Sequence, residues 1–578
     1  MSSTSPFRLT LRYTLYLASS FPIFPSLGAA QSTEQAVLRA SDAATASELG
    51  DSAAISGNRA IVGAPADGHS GVTEAGSAYV YARTGVEWLQ DAKLVASDAS
   101  MPDQGGVLFG ASVAMSSDTL LVGTPRNDHS GFVDAGAVYV FVHDGANWIE
   151  QAKLTASDAA TSDGLGVSVA LEGNTAIVGA TRGGASGAGA VYVFQRSATT
   201  WSEQAKLIAS DNQSGSNFGS CVAIDGETFV SGSAMLDHSG LSNSGAVYVF
   251  SRAAGVWTEQ ARLVAPDAER NDHLGASVSI SGVTIVAGAD GDDYAGNVNA
   301  GSARVFVGSG ANWTEEATLT GSSIGTSDRF GRSVSLSGNQ VGVGADRDGH
   351  TGGAEAGSAF MFRRNGTVWT EELIVRAADT AATDHFGASV SFDGQNLLVG
   401  SPWNDISCLT NSGSAYVYVF DGTGSTTPYC FCDCSAPCGN LDATAGCANS
   451  TGSGALLHST GSTSVIADDL VLTVSNLPSN QFGILYRGGR QWSATFGDGI
   501  RCVGAAPLTI CRFGVQSSGP SGTLVLGPGI VALSSTTLPE CHIQAGMTWN
   551  FQGWFRDPGG PCGSAFNLSN ALAVTFSL

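Results

Sequence analysis

The chain has 578 residues and a formal net charge of −24, and only 13% of its residues are charged. That balance excludes a nucleic-acid or anionic-membrane binder, because both surfaces would repel it. A regular pattern in which 43% of residues are hydrophobic excludes a disordered chain, and 76 glycines point to a turn-rich β protein of extracellular type.

At the N-terminus Arg8 and Arg12 precede the apolar run 13–27, and Gly28-Ala29-Ala30 offers small residues for cleavage. Residues 1–30 therefore read as a secretory signal peptide. No later stretch approaches about 20 unbroken apolar residues, so no membrane span is expected in the mature chain. The expected location is secreted, extracellular or at the cell surface.

From residue 31 to 425 one plan recurs seven times. Each unit begins with Leu or Phe followed by Gly: Leu49-Gly50, Phe109-Gly110, Leu165-Gly166, Phe218-Gly219, Leu274-Gly275, Phe330-Gly331 and Phe386-Gly387. The glycines are 60, 56, 53, 56, 56 and 56 residues apart, a period that belongs to solenoids and propellers. In the unit 109–158 four strands are expected, at 111–115, 120–123, 137–142 and 148–155. The third, AVYVFV, is apolar at consecutive positions. This implies cover on both faces, as for blades packed radially between neighbours. Gly, Asn, Asp and Ser separate the strands, as turns require.

Six units carry a fourth strand led by Trp88, Trp148, Trp201, Trp257, Trp313 or Trp369. The seventh has its third strand at 416–420 and no fourth. The segment Thr33-Glu34-Gln35-Ala36-Val37-Leu38 matches Thr258-Glu259-Gln260-Ala261-Arg262-Leu263, with Ser32 at the Trp position. It is expected to complete the seventh blade and close the ring, which removes exposed sheet edges. The expected fold is all-β: a seven-bladed β-propeller closed by an N-terminal strand (31–425), followed by a smaller β-sandwich-like domain (426–578).

The unit resembles the FG-GAP repeat of the integrin α-subunit propeller and of bacterial secreted proteins. Its Gly-Ala-Pro element stands intact at Gly63-Ala64-Pro65. It varies as Gly123-Thr124-Pro125, Gly179-Ala180-Thr181, Gly232-Ser233-Ala234, Gly288-Ala289-Asp290, Gly344-Ala345-Asp346 and Gly400-Ser401-Pro402. The resemblance implies a seven-bladed propeller with ligand recognition on one face; it fixes no ligand.

Two loop families hold the candidate site residues. Between the second and third strands, the sixth position after the glycine of the Gly-Ala-Pro element is His69, His129, His238 or His350 in four units. It is Tyr294 and Ile406 in two others and Ala185 in the third unit. Asp67, Asp128, Asp237, Asp292, Asp293, Asp348 and Asp405 precede it. Repeated Asp-His on one rim suits a metal or a polar ligand held by several blades. The structural alternative is that Asp caps its own loop and His packs beside it. Between the fourth strand and the next first strand, three units repeat an Asp-x4-Asp spacing: Asp158 and Asp163, Asp267 and Asp272, Asp379 and Asp384. Acidic oxygens on a loop suit Ca²⁺, the one cofactor the sequence raises. The Asp-x-Asp-x-Asp-Gly calcium loop of the integrin relatives is absent; the matching segment is short, as in Ser116-Ser117-Asp118.

Gly321-Ser322-Ser323-Ile324-Gly325 fits G-x-S-x-G but lies between blades, with no helix expected after it, and reads as coincidence. The repeated tryptophans suit blade packing or, alternatively, a sugar-binding aromatic ring. Of 11 cysteines, nine follow residue 429: Cys430, Cys432, Cys434, Cys438, Cys447, Cys502, Cys511, Cys541 and Cys562. In an exported chain they are disulfide candidates, with connectivity left open and Cys408 available to even the count; a zinc site is the alternative. Cys221 is expected to be a buried free thiol. Beyond residue 426, strands are expected at 469–474, 482–486, 524–526, 530–533, 549–555 and 571–576, an antiparallel sandwich.

No nucleophile–base pair and no H-E-x-x-H motif stands out. The expected function is a secreted, non-catalytic binding or adhesion protein presenting propeller loops to an extracellular protein or glycan. A metal-dependent extracellular hydrolase built on the Asp/His clusters and a structural cell-surface component are the alternatives.

Overall fold

The structure, a computed structural model, describes residues 33–576 except 70, 85–86, 99–105, 185–186, 407–408, 421–425, 433–435, 443–444, 505–509, 537–540 and 545–546. The signal peptide, Ser32, Ala185, Cys408 and Cys434 lie outside the described residues.

Seven four-stranded antiparallel sheets form the blades. In the second, Ser112–Ser116, Thr119–Thr124, Ala137–His143 and Trp148–Leu154 pair in chain order. These bounds lie within one or two residues of those read from the sequence. Ala137, Val138, Tyr139 and Val140 are all buried, so consecutive apolar residues do mark a strand covered on both faces. The ring closes as expected: Thr33–Leu38 lies antiparallel to Ser414–Val419, with Leu38 opposite Ala415. It becomes the outer strand of the blade built by Ser389–Phe392, Asn396–Ser401 and Ser414–Val419.

The packing between blades explains why the repeat spells its motif. The first glycine of each Gly-Ala-Pro element lies against the carbonyl of the Phe-Gly glycine in the next blade. A Cβ on Gly63 would stand 2.0 Å from the Gly110 oxygen, and one on Gly400 would stand 2.0 Å from the Gly50 oxygen, across the closure. The same carbonyls accept hydrogen bonds from first-strand side chains. Ser52 donates to Gly110 (2.7 Å), Ser112 to Gly166 (2.8 Å), Ser168 to Gly219 (2.8 Å) and Ser277 to Gly331 (2.8 Å). Ser333 donates to Gly387 (2.8 Å) and Ser389 to Gly50 (2.7 Å). In the fourth blade the thiol of Cys221 donates to Gly275 at 3.0 Å in serine's place. Cys221 is the free cysteine among the described residues. Enclosure of its sulfur pushes the thiol up to about 12, which keeps the proton the bond requires.

Four of the six tryptophans join neighbouring blades at their outer strands, while Trp313 bonds back to Gly310 in its own hairpin. The indole N–H of Trp88 donates to Gln35, that of Trp148 to Asp91, that of Trp201 to Gln151 and that of Trp369 to Glu316, each at 3.0 Å.

In the C-terminal part a large antiparallel sheet is built on Phe482–Gly488, Thr548–Arg556 and Phe566–Thr575. It faces a three-stranded sheet of Leu456–Thr460, Val471–Ser475 and Leu524–Leu526. Leu472, Val474 and Leu524 meet Leu485, Trp549 and Phe551 in the shared core. This is the expected sandwich, with one correction: 530–533, read as a strand, belongs to an α-helix, Ile530–Ser535. The cause is tertiary. The Asp468 carboxylate, far away in sequence, accepts the N–H groups of Val531 (2.7 Å) and Ala532 (2.9 Å) and so caps the first turn. Eight cysteines pair as Cys430–Cys502, Cys432–Cys447, Cys438–Cys562 and Cys511–Cys541.

Candidate functional site on the loop face of the propeller

In an antiparallel four-stranded blade, the loops after the second and fourth strands emerge at the same end. Both candidate loop families therefore share one face of the ring. On that face the loop aspartates serve two different purposes. Asp67, Asp292 and Asp348 are buried. Asp67 accepts Ser77 (2.7 Å) and pairs with Lys93 (2.8 Å), and Asp348 accepts Ser358 (2.5 Å) and pairs with Arg376 (3.1 Å). Asp128, Asp237, Asp293 and Asp405, one position later, instead accept a backbone N–H six residues on, from Asp134, Asn243, Asn299 and Asn411. These are loop caps. His69, His129 and His350 bond through Nε2 to the carbonyls of Gly76, Gly136 and Gly357 at 2.8–3.1 Å, folding back on their own loops. His238 reaches Ser239 instead. Burial holds His129 below the usual imidazole range.

The Asp-x4-Asp pairs divide in the same way. The first member faces cations and phenols: Asp158 takes Lys206 (2.6 Å) and Tyr192 (2.8 Å), Asp267 takes Arg304 (2.8 Å), and Asp379 takes Tyr416 (2.7 Å) and Arg39 (3.4 Å). Burial would raise the Asp158 carboxyl, but Lys206 and Tyr192 outweigh it and hold the group down. The second member caps its own loop: Asp163 accepts Ala160 N–H (2.8 Å), Asp272 accepts Glu269 N–H (2.5 Å) and Asp384 accepts Ala381 N–H (2.6 Å). Burial pushes all three up, Asp272 to about 6 and Asp384 to about 7. Among the described residues no group of three or more His, Cys, Asp or Glu is placed to hold a metal ion. Ser323, in the G-x-S-x-G segment, lies near Arg376 (3.5 Å), while Ser322 donates to Glu371 of the next blade's outer strand (2.7 Å).

The convergent cluster on this face is one that the sequence reading missed. Blades five, six and seven carry His273, Arg329 and His385 just before the Leu-Gly or Phe-Gly pair. Blades five and six carry Asp290 and Asp346 where Gly-Ala-Pro has proline. Folding sets these five residues in an alternating arc. Asp290 lies 3.3 Å from His273 and 2.7 Å from Arg329. Asp346 lies 3.6 Å from Arg329 and 3.6 Å from His385. Burial would raise Asp290, but His273, Arg329 and Arg332 hold it down to about 2. One feature leaves the arc with unused capacity: Asp346 Oδ1 is buried with no hydrogen-bond partner, whereas His385 Nε2 faces the Glu355 carboxylate at 3.7 Å. The imidazole of His385 also packs against exposed Trp403, with ring centroids 4.2 Å apart and the planes tilted by 31°. Aligning the seven units by their third Gly-Ala-Pro residue, and not only by the Asp-His positions, would have exposed the arc.

A family model for the FG-GAP repeat matches seven segments: 32–81, 88–141, 148–194, 201–250, 257–306, 313–362 and 369–418. Each match starts on the outer strand of one blade and ends on the third strand of the next. The sequence repeat is thus offset from the structural blade by one strand, which is what makes the N-terminal closure possible. No curated protein is significantly similar to the chain.

Proposed function

Because the chain belongs to the FG-GAP repeat family, seven of whose repeats it carries, we propose that it is a secreted or cell-surface binding and adhesion protein. It has no catalytic chemistry of its own and presents the loop face of the propeller to an extracellular protein or glycan. In this reading residues 1–30 direct export, 31–425 present the ligand face, and 426–578 form a disulfide-stapled companion module.

The observation that carries the reading is the composition of that face. Exposed Phe132, Val133, Met235, Tyr294, Val298 and Trp403 all stand on loops between second and third strands, the face that also carries the arc of His273, Asp290, Arg329, Asp346 and His385. Aromatic, Met and Arg side chains around a polar centre are what recognition surfaces enrich. Trp403, braced by the His385 ring at 4.2 Å between centroids, is the pre-organised anchor.

Binding of the mature protein to extracellular surface material of its own source, followed on an immobilised layer, tests this. Trp403→Ala is expected to weaken binding about tenfold, the range of an aromatic anchor. Val256→Ala and Val368→Ala, exposed on strands at the opposite end of their blades, should leave it unchanged. The reverse pattern would sink the assignment of the face.

A further inference from the structure

The lysines and many of the arginines of the propeller sit in ion pairs. The C-terminal domain departs from this on the outer face of its large sheet. There Trp554 lies between Ile484 and Leu568 on adjoining strands. The hairpin of Arg490–Phe496 and Gly499–Gly504 packs beside them and leaves a groove of about 360 Å³. Its walls are aromatic: Phe496 meets Phe566 at 5.2 Å between centroids, and Phe566 meets Trp554 at 5.8 Å. Tyr486, Arg501 and Arg512 line the same groove. Neither arginine pairs with a carboxylate among the described residues, and Arg501 Nε is buried without a hydrogen-bond partner. Acidic residues outnumber basic ones by 50 to 26 in this chain, so two arginines lining one groove with no carboxylate partner among the described residues mark a place for an anion from outside.

We propose that this groove binds a uronic-acid glycan. The flat C–H faces of pyranose rings fit the aromatic walls, and the ring carboxylates supply Arg501 and Arg512 with charge-assisted, bidentate partners. The volume falls within the range of small-ligand sites. A neutral sugar would leave both guanidinium groups unmatched. A nucleic-acid strand would face repulsion from the net charge of −24. The groove is lined by residues of the C-terminal domain alone and shares none with the arc or Trp403, so the two proposals fail separately.

The test is calorimetric titration of the full mature chain with polygalacturonate oligomers, the same oligomers with their carboxyls reduced to alcohols, dextran sulfate and poly-aspartate. Polygalacturonate should bind, and carboxyl reduction should weaken binding at least about tenfold, the value of one charge-assisted bond. Arg501→Ala with Arg512→Ala should weaken it by a similar factor. Phe496→Ala, on an exposed hairpin strand, should weaken it too with the melting curve unchanged, and Trp403→Ala should have no effect. Equal binding of the reduced oligomers, tighter binding of dextran sulfate or poly-aspartate, or wild-type affinity in the arginine and Phe496 variants would each overturn the proposal.

Discussion

Gly344 offers a direct test of why the repeat needs glycine. Its backbone is not left-handed, so alanine would meet no conformational strain there; only space forbids it. A Cβ would stand 2.1 Å from the Gly387 oxygen and 2.4 Å from Ser333 Oγ. Relief requires the sixth and seventh blades to part by about 1 Å, because non-bonded atoms tolerate little compression. That movement breaks the Ser333 to Gly387 bond of 2.8 Å. Overpacking of this kind costs about 1–3 kcal/mol and an unsatisfied buried group a similar amount, so about 2–6 kcal/mol in total is expected. Gly338 is the control. It is left-handed with φ 58° and has nothing within 4 Å of its Cβ position, so Gly338→Ala carries only the backbone strain of about 1–2 kcal/mol. Urea unfolding followed by circular dichroism should therefore place the midpoint of Gly344→Ala below that of Gly338→Ala. Coincident midpoints, or the opposite order, would refute the close-approach argument.

Deleting residues 31–38 removes the whole outer strand of the seventh blade, including buried Leu38 and the Gln35 partner of Trp88. Leu38 alone is worth about 2–5 kcal/mol, so the melting temperature should fall by several degrees, and an unchanged value would refute closure by this strand. Asp384 and Asp272 are raised by burial to about 7 and about 6 from an ordinary value of 3.8. Their stabilising contribution is complete below pH 3.8 and is lost as pH rises through 6 and 7. Asp290, held down to about 2, has the opposite sign: its contribution is present above 3.8 and lost as pH falls through 2. Melts at pH 5 should therefore lie above melts at pH 8, and Asp384→Asn, which keeps an acceptor for Ala381, should narrow the gap; an unchanged gap would remove Asp384 from the explanation. In the sandwich core Arg487 lies fully buried over Trp549 at 4.5 Å, with Nε and Nη1 unpartnered, and burial pulls it down to about 10. Arg487→Met should be neutral or stabilising by about 1–4 kcal/mol, and a lower chemical-unfolding midpoint would contradict that.

The propeller was legible because its information is local and repeated seven times. The glycine period, the AVYVFV-type strand and the orphan segment at 33–38 each state a fact about packing that needs no distant partner. The C-terminal domain has no such repetition. There the helix at 530–535 depends on Asp468, and the pairing of Cys438 with Cys562 spans 124 residues; neither follows from neighbouring residues. The loop face falls between these cases. Asp and His stand at recurring positions, and recurrence marks a structural role as readily as a chemical one. The aspartates at those positions turned out to split between caps and buried ion pairs according to a shift of one residue.

The same point decides where chemistry specific to this protein lies. Residues that repeat in all seven blades build the ring: the glycine contacts and the hydroxyl or thiol donors to glycine carbonyls leave little to distinguish one blade from another. Even Cys221, a departure in type, keeps the donor role. Asp290 and Asp346 depart differently. A carboxylate introduced alone at a buried rim would cost several kcal/mol, and each is tolerable because the Arg329 guanidinium stands on one side of it and an imidazole on the other. Arg329 serves both carboxylates, so the five residues form one unit that cannot be assembled piecemeal from the repeat. The unit covers three consecutive blades and ends at Trp403, giving a sevenfold ring one distinguishable side. On the binding reading proposed above, the arc gives blades five to seven a charged feature that blades one to four lack, where Pro65, Pro125, Thr181 and Ala234 stand at the position of Asp290 and Asp346.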